Sequence, residues 1–150
     1  MAKEQMTTLP ALQMKRTFQA PRAKVFSAWT DARELARWFA PSPEYSTVVP
    51  ELDLRVGGKY CLEMHHKGGN VHKLFGTYRE IAPPEKVVFT WSWESGPSAI
   101  ESVVTVEFRD LGPATEVCLT HELLPDAESR GKHEHGWTGC LEQLARFVNQ

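Results

Sequence analysis

The sequence predicts an α+β fold in which a curved antiparallel β-sheet wraps around one long C-terminal helix. Three observations predict it. Two short helix signals lie between Pro21 and Phe39, right after a first strand. About six strand-like runs follow from Tyr45 to Glu122. The last segment then carries Trp137, Leu141, Leu144 and Val148 at i, i+4, i+7 and i+11, a single apolar stripe. A one-faced helix that follows an antiparallel sheet buries that stripe on the concave side of the sheet. A sheet curved around a helix often leaves a space between the two, and that space is where the sequence places function.

The elements follow in order. Residues 11–19 alternate, with Leu12, Met14 and Arg16 on one side and Gln13, Lys15 and Thr17 on the other, which predicts a first strand. Pro21 is a helix-start residue because its missing N–H costs nothing in a first turn. Val25, Phe26 and Trp29 then form a short apolar stripe. Asp31 and Glu34 have capping-box spacing and start a second helix that runs through Trp38, stopped by Pro41 and Pro43.

Beyond this point the period becomes two. Tyr45 to Val49 reads as a strand ended by Pro50. Gly57-Gly58 launches Lys59 to His66, with Tyr60, Leu62 and Met64 on one face, and Lys67-Gly68-Gly69-Asn70 is a hairpin turn. Val71 to Ile81 returns and Pro83-Pro84 breaks it. Val87, Phe89, Trp91 and Trp93 share one face of the strongest strand, rich in β-branched and aromatic residues. Ser95-Gly96-Pro97 turns into Ile100 to Arg109, which puts Val104, Val106 and Phe108 on one side. Leu111-Gly112-Pro113 turns into Thr115 to Glu122. Links this short imply hairpins and a mostly antiparallel meander. Asp126 is the expected N-cap of the final helix. Gly131, Gly136 and Gly139 make its first half poor helix material, at about 1 kcal/mol each against alanine. That half is expected to be frayed or kinked, or else to carry its backbone close to the sheet at Gly136 and Gly139.

Composition sets limits. The chain has 150 residues, is 41% hydrophobic and carries a formal charge of −2, which suits one domain spanning 1–150 with a sizeable core. There is no basic excess to hold nucleic acid or an anionic membrane. No stretch approaches the ~18 apolar residues of a membrane span, and no signal-peptide run opens the chain. The three cysteines, Cys61, Cys118 and Cys140, form no CxxC pair; free thiols fit a cytoplasmic protein.

Catalytic signatures are sparse. His65 and His66 are adjacent on a strand and point to opposite faces. His133 and His135 are two apart on a helix and do not share a face. A metal site built across strands from Glu63, His72 and His121 has no close ligand pair to support it, so no metal and no cofactor are expected. Glu63, Glu101 and Glu107 alternate with apolar residues and are expected at solvent. Strand alternation sets Cys61 and Cys118 away from the concave face, and no nucleophile elbow is present. His121, in register with Val117 and Leu119, is the one histidine expected to face inward. There it would donate to a ligand carbonyl, act as a base, or be satisfied by a neighbouring group.

The ordered motifs resemble a known superfamily. Ala20 to Asp31 is similar to its lead-in to the first helix and Leu35-Ala36-Arg37-Trp38-Phe39 to its second helix. Val56-Gly57-Gly58-Lys59-Tyr60 resembles its glycine turn and Gly76 to Trp91 its central hairpin. Leu119-Thr120-His121-Glu122 and His135-Gly136-Trp137 resemble its last strand and last helix. The superfamily is that of START domains and the birch-pollen allergen (SRPBCC), with its helix-grip fold. The branch is the one similar to the C-terminal domain of the activator of the heat-shock chaperone ATPase. That activator has a further N-terminal domain, for which 150 residues leave no room.

The resemblance implies a cavity between sheet and helix. The residues expected to bind a small hydrophobic or amphipathic ligand, lipid or aromatic, are Trp38, Tyr60, Leu62, Met64, Phe89, Trp91, His121, Trp137 and Leu141, with Trp38 and Phe39 near the mouth as lid or anchor. Two alternatives stand beside non-catalytic binding. One is a co-chaperone-like or stress-response module with a chaperone as partner. The other is a cofactor-free cyclase or hydrolase. Oligomeric state stays open, a homodimer through edge strands being one option.

Overall fold

A computed structural model describes residues 11–94 and 101–149. The chain forms β1 (Leu12–Phe18), α1 (Arg22–Thr30), α2 (Ala32–Trp38), β2 (Tyr45–Leu52), β3 (Lys59–His66), β4 (Val71–Ala82), β5 (Lys86–Trp93), β6 (Ser102–Asp110), β7 (Thr115–Glu122) and α3 (Ala127–Val148). The seven strands make one sheet in the order β1-β7-β6-β5-β4-β3-β2, antiparallel throughout. Strands β2 to β7 are a simple meander, as the short turns require. The turn expected at Ser95-Gly96-Pro97 and the strand start at Ile100 lie outside the described residues.

The local signals act largely as read. The Pro21 carbonyl opens α1 by accepting from Lys24 and Val25, so Pro21 sits one residue before the helix rather than inside it. The Asp31 carboxylate caps α2 through the N–H groups of Arg33 and Glu34. Glu34 makes no reciprocal bond; its carboxylate takes the Ser27 hydroxyl at 2.5 Å and ties α2 to α1.

Pro50 does not end β2. The strand continues to Leu52 through a register shift between Val48 and Glu51, where two residues oppose one. Strand β2 is a sheet edge, so a residue without an N–H is tolerated at its bulge.

Helix α3 is continuous from Ala127 to Val148, and the frayed or kinked first half is not found. Asp126 caps it by accepting from the N–H of Ser129 at 2.8 Å. Its stripe, Trp137, Cys140, Leu141, Leu144 and Val148, is buried. Close backbone approach occurs at Gly139 alone, and its neighbour is not the sheet. A Cβ there would overlap the carbonyl of Pro41, in the segment after α2. Gly136 faces open space.

The core fills the concave side. Phe18, Val25, Phe26 and Trp29 meet Val104, Val106, Phe108, Val117 and Leu119 from the sheet and Leu144 and Val148 from α3. The second half of α3 thus packs against α1, α2 and β1. Its first half leaves room between itself and part of the sheet.

Candidate functional site

That room is a cavity of about 690 Å³. Among the described residues, Phe39 and Pro41 line it from the segment after α2, and Tyr45, Met64 and His72 from β2, β3 and β4. Trp91 and Trp93 come from β5 and Ser102 from β6. Helix α3 and the residues just before it supply Leu124 to Asp126, Glu128, Ser129, Lys132, His133, His135, Gly136, Trp137 and Cys140. The volume falls in the range of small-molecule sites, and its body is aromatic.

Period-two alternation explains the β5 wall: Trp91 and Trp93 are two apart and share the concave face, their rings 5.5 Å apart and perpendicular. Trp137 comes across from α3 to within 5.0 Å of Trp91. Phe39 meets the rings of both, at 6.2 Å from Trp91 and 5.8 Å from Trp137.

Two neutral histidines organise the polar atoms. His133 Nε2 accepts from the indole N–H of Trp91 at 3.2 Å and of Trp93 at 3.1 Å. Its Nδ1 donates to the carbonyl of Ser129 at 2.7 Å. A nitrogen that accepts two indole protons carries none itself, so the ring is held in one neutral tautomer. Burial pushes the His133 pKa down, against the Ser129 carbonyl, which favours the charged form.

His121 is fully buried, its ring 5.0 Å from that of His133. Its Nδ1 accepts from Trp137 Nε1 at 3.1 Å, so Nε2 carries the proton and donates to Ser102 Oγ at 2.8 Å. Ser102 in turn donates to the carbonyl of Trp91 at 3.2 Å. Burial first, and the neighbouring His133 second, lower the His121 pKa to about 3.

The residues singled out from the sequence separate into three groups. Met64, Trp91 and Trp137 line the cavity. Tyr60, Leu62 and Phe89 line a second, much smaller void of about 20 Å³, where side chains fill the space between sheet and helices. Tyr60 is fixed there by donating to the Thr90 carbonyl at 2.5 Å. Trp38, Leu141 and His121 border neither space. Trp38 is an anchor, its indole donating to the Ala28 carbonyl at 2.8 Å and its ring against Trp29 at 4.9 Å. The ring nitrogens of His121 are both engaged, so neither is presented to a ligand.

Among the wall residues not foreseen are Tyr45, His72, Trp93, Ser102, His133 and Cys140. For His133 a signal existed: it stands four residues before Trp137 and shares that face of α3.

Cys140 reaches the cavity, but burial pushes its thiol up to about 12, away from the reactive thiolate. Among the described residues, no group of three His, Cys, Asp or Glu side chains comes together at metal-binding spacing, and Glu63, His72 and His121 are not gathered.

Comparison with known proteins adds the lineage. Residues 19–149 match the family described as Activator of Hsp90 ATPase homolog 1-like protein. The chain belongs to that family. The human Activator of 90 kDa heat shock protein ATPase homolog 1 is 25% identical over 126 residues, 84% of this chain and 33% of that protein. The chain thus spans about a third of the length of the curated relatives it matches. A solved structure from Chromobacterium violaceum has a TM-score of 0.86 at 28% identity, covering 93% of this chain and 97% of that one. The AHSA1 protein of Silicibacter pomeroyi has 0.79 at 27% identity, over 91% and 95%. The helix-grip fold and the Aha-type branch expected from the motifs are therefore those of this family member. No helix among the described residues is long and apolar enough to cross a membrane.

Proposed function

We propose that this family member binds a small hydrophobic or amphipathic ligand, aromatic or lipid, in the 690 Å³ cavity, without covalent chemistry. One observation carries the reading. Three tryptophans of the wall, Trp91, Trp93 and Trp137, have all committed their indole N–H groups to His133 and His121, so their contribution to a ligand is ring surface. Transfer of apolar ligand area onto that surface stabilises a complex by about 25 cal/mol per Å², less the ordering costs. Asp126, Glu128 and Lys132 on the wall are exposed and suit the polar end of an amphipathic molecule. Three cysteines without disulfide partners are in keeping with a reducing cytoplasm as its setting.

Native mass spectrometry of the purified protein, with extraction of bound small molecules, tests the reading. A reproducible lipid or aromatic molecule, lost in Trp137→Ala, is the expected result. Protein that stays empty and whose tryptophan fluorescence no apolar probe perturbs would sink it.

A second reading is a co-chaperone-like role with a heat-shock chaperone as partner. It is favoured by the match to the human chaperone-ATPase activator over 84% of this chain. Stimulation of a 90 kDa heat-shock protein ATPase by the purified chain, unaffected by cavity substitutions, is the result that would select it.

A further inference from the structure

We infer that the 690 Å³ cavity takes its ligand in one orientation, an unsubstituted hydrocarbon or aryl end innermost and a hydroxyl group at the mouth; this rests on the reading of the cavity as a ligand site. The wall is graded in exposure. Phe39, Trp91, Ser102, Trp137 and Cys140 are buried, whereas His72, Asp126, Glu128, Lys132 and His135 are exposed. The gradient runs the same way on both sides. On α3 it goes from buried Cys140 back to exposed Lys132, a rise of about 12 Å. On β5 it goes from buried Trp91, which meets Trp137 at 5.0 Å, to half-buried Trp93, which meets His133 one turn earlier at 6.2 Å. The cavity therefore has a buried end and a mouth.

At the buried end the strong side-chain donors are already spent. Trp91 Nε1 donates to His133, Trp137 Nε1 to His121, and Ser102 Oγ to the Trp91 carbonyl. Cys140 offers only a thiol, a weak donor, and the Ala40 backbone engages it. An oxygen or nitrogen acceptor placed at this end would give up its bonds to water and find no donor to replace them. A methyl group or an aryl edge gives up no such bond.

The mouth is the opposite. Among the described residues, the Tyr45 hydroxyl and the rings of His72 and His135 line the cavity and make no hydrogen bond within the protein. The charges beside them are balanced within α3: Lys132 pairs with Glu128 at 3.3 Å, and Asp126 caps the helix. What remains is a phenol and two imidazoles, groups that both donate and accept, and their match is an uncharged hydroxyl. The chemical class is an alcohol or phenol whose polar groups all lie at one end.

The test compares 2,3-dihydroxynaphthalene with 2,6-dihydroxynaphthalene on the wild-type protein. The isomers share composition and ring system, but the first carries both hydroxyls at one end and the second carries one at each. In equilibrium dialysis the 2,3-isomer is expected to bind ~5- to 100-fold more tightly, the effect of stranding one polar group at the buried end. Nuclear Overhauser contacts of the bound 2,3-isomer read the orientation directly. The two ring protons furthest from its hydroxyls should meet Phe39 and Trp137. Equal affinities, a tighter 2,6-isomer, or those protons beside His72 and His135 would overturn the orientation and leave the cavity reading standing. If neither isomer binds, both fall.

Discussion

Trp137 donates its indole N–H to Nδ1 of His121 over 3.1 Å, and this bond joins α3 to β7 beside the cavity. Both residues are buried, so the bond is sheltered from water. Trp137→Phe keeps most of the ring but leaves Nδ1 buried and unpaired, at a cost of ~1–3 kcal/mol. Trp137→Ala also opens the core, and its destabilisation is expected at ~3–5 kcal/mol. Urea unfolding measures both. Equal midpoints for the two variants would mean that ring packing contributes nothing beyond the hydrogen bond.

The two histidines predict an acid-sensitive fold. Each has a folded-state pKa below its ordinary value of 6.5, so the unfolded chain binds protons that the folded chain refuses. The stability they contribute is complete above pH 6.5. As pH falls below 6.5 both contributions decline; for His121 the slope approaches about 1.4 kcal/mol per unit and the decline continues towards about pH 3. The pH slope of the unfolding free energy between pH 6.5 and 5 should become shallower in His133→Gln, which keeps an acceptor for the two indoles. An unchanged slope would show that folding does not lower the His133 pKa.

The glycines of α3 should behave oppositely. Gly136 has open space where a Cβ would go, so Gly136→Ala is expected to stabilise the helix by about 1 kcal/mol. At Gly139 the added carbon meets backbone, the Pro41 carbonyl, and cannot be accommodated by a side-chain rotation. Gly139→Ala should destabilise by ~1–3 kcal/mol despite better helix propensity. Thermal melts of the pair decide it, and Gly136→Met adds a functional arm: a long side chain reaching into the cavity should abolish probe binding without unfolding the protein.

Cys140 lines the cavity yet should be inert. With its thiol pushed up to about 12 by burial, alkylation by iodoacetamide at pH 7.5 is expected to be far slower than for an exposed thiol with the ordinary value of 9.0. Mass spectrometry of timed digests reads this directly. Rapid labelling of Cys140 would indicate that the cavity opens widely in solution.

Much of this protein was legible in the residues. Turn chemistry at Lys67–Asn70 and Leu111–Pro113, period-two strands, the Asp31 and Asp126 caps and the stripe from Trp137 to Val148 are local properties. With short hairpin links they determine a meander and a one-sided helix, hence the fold. Pro50 was misjudged because its effect depends on strand position: an edge strand tolerates a missing N–H, and edge position is not a local property.

The location of the open space was decided only by tertiary structure. Tyr60, Phe89, Trp91 and Trp137 are indistinguishable by pattern, all aromatic and all inward. Whether such a residue is core or wall depends on what arrives opposite it. Trp29, Leu35 and Phe39 close over Tyr60 and Phe89, whereas Gly136 and the first half of α3 leave open space beside Trp91 and Trp93. The same holds for the histidines. His121 is spent on Trp137 and Ser102, and His133 on Trp91 and Trp93, partners 16, 19, 42 and 40 residues away. Hydrogen-bond capacity belongs to the residue, but whether any of it is left for a ligand depends on which partners the fold brings within 3 Å or so of it.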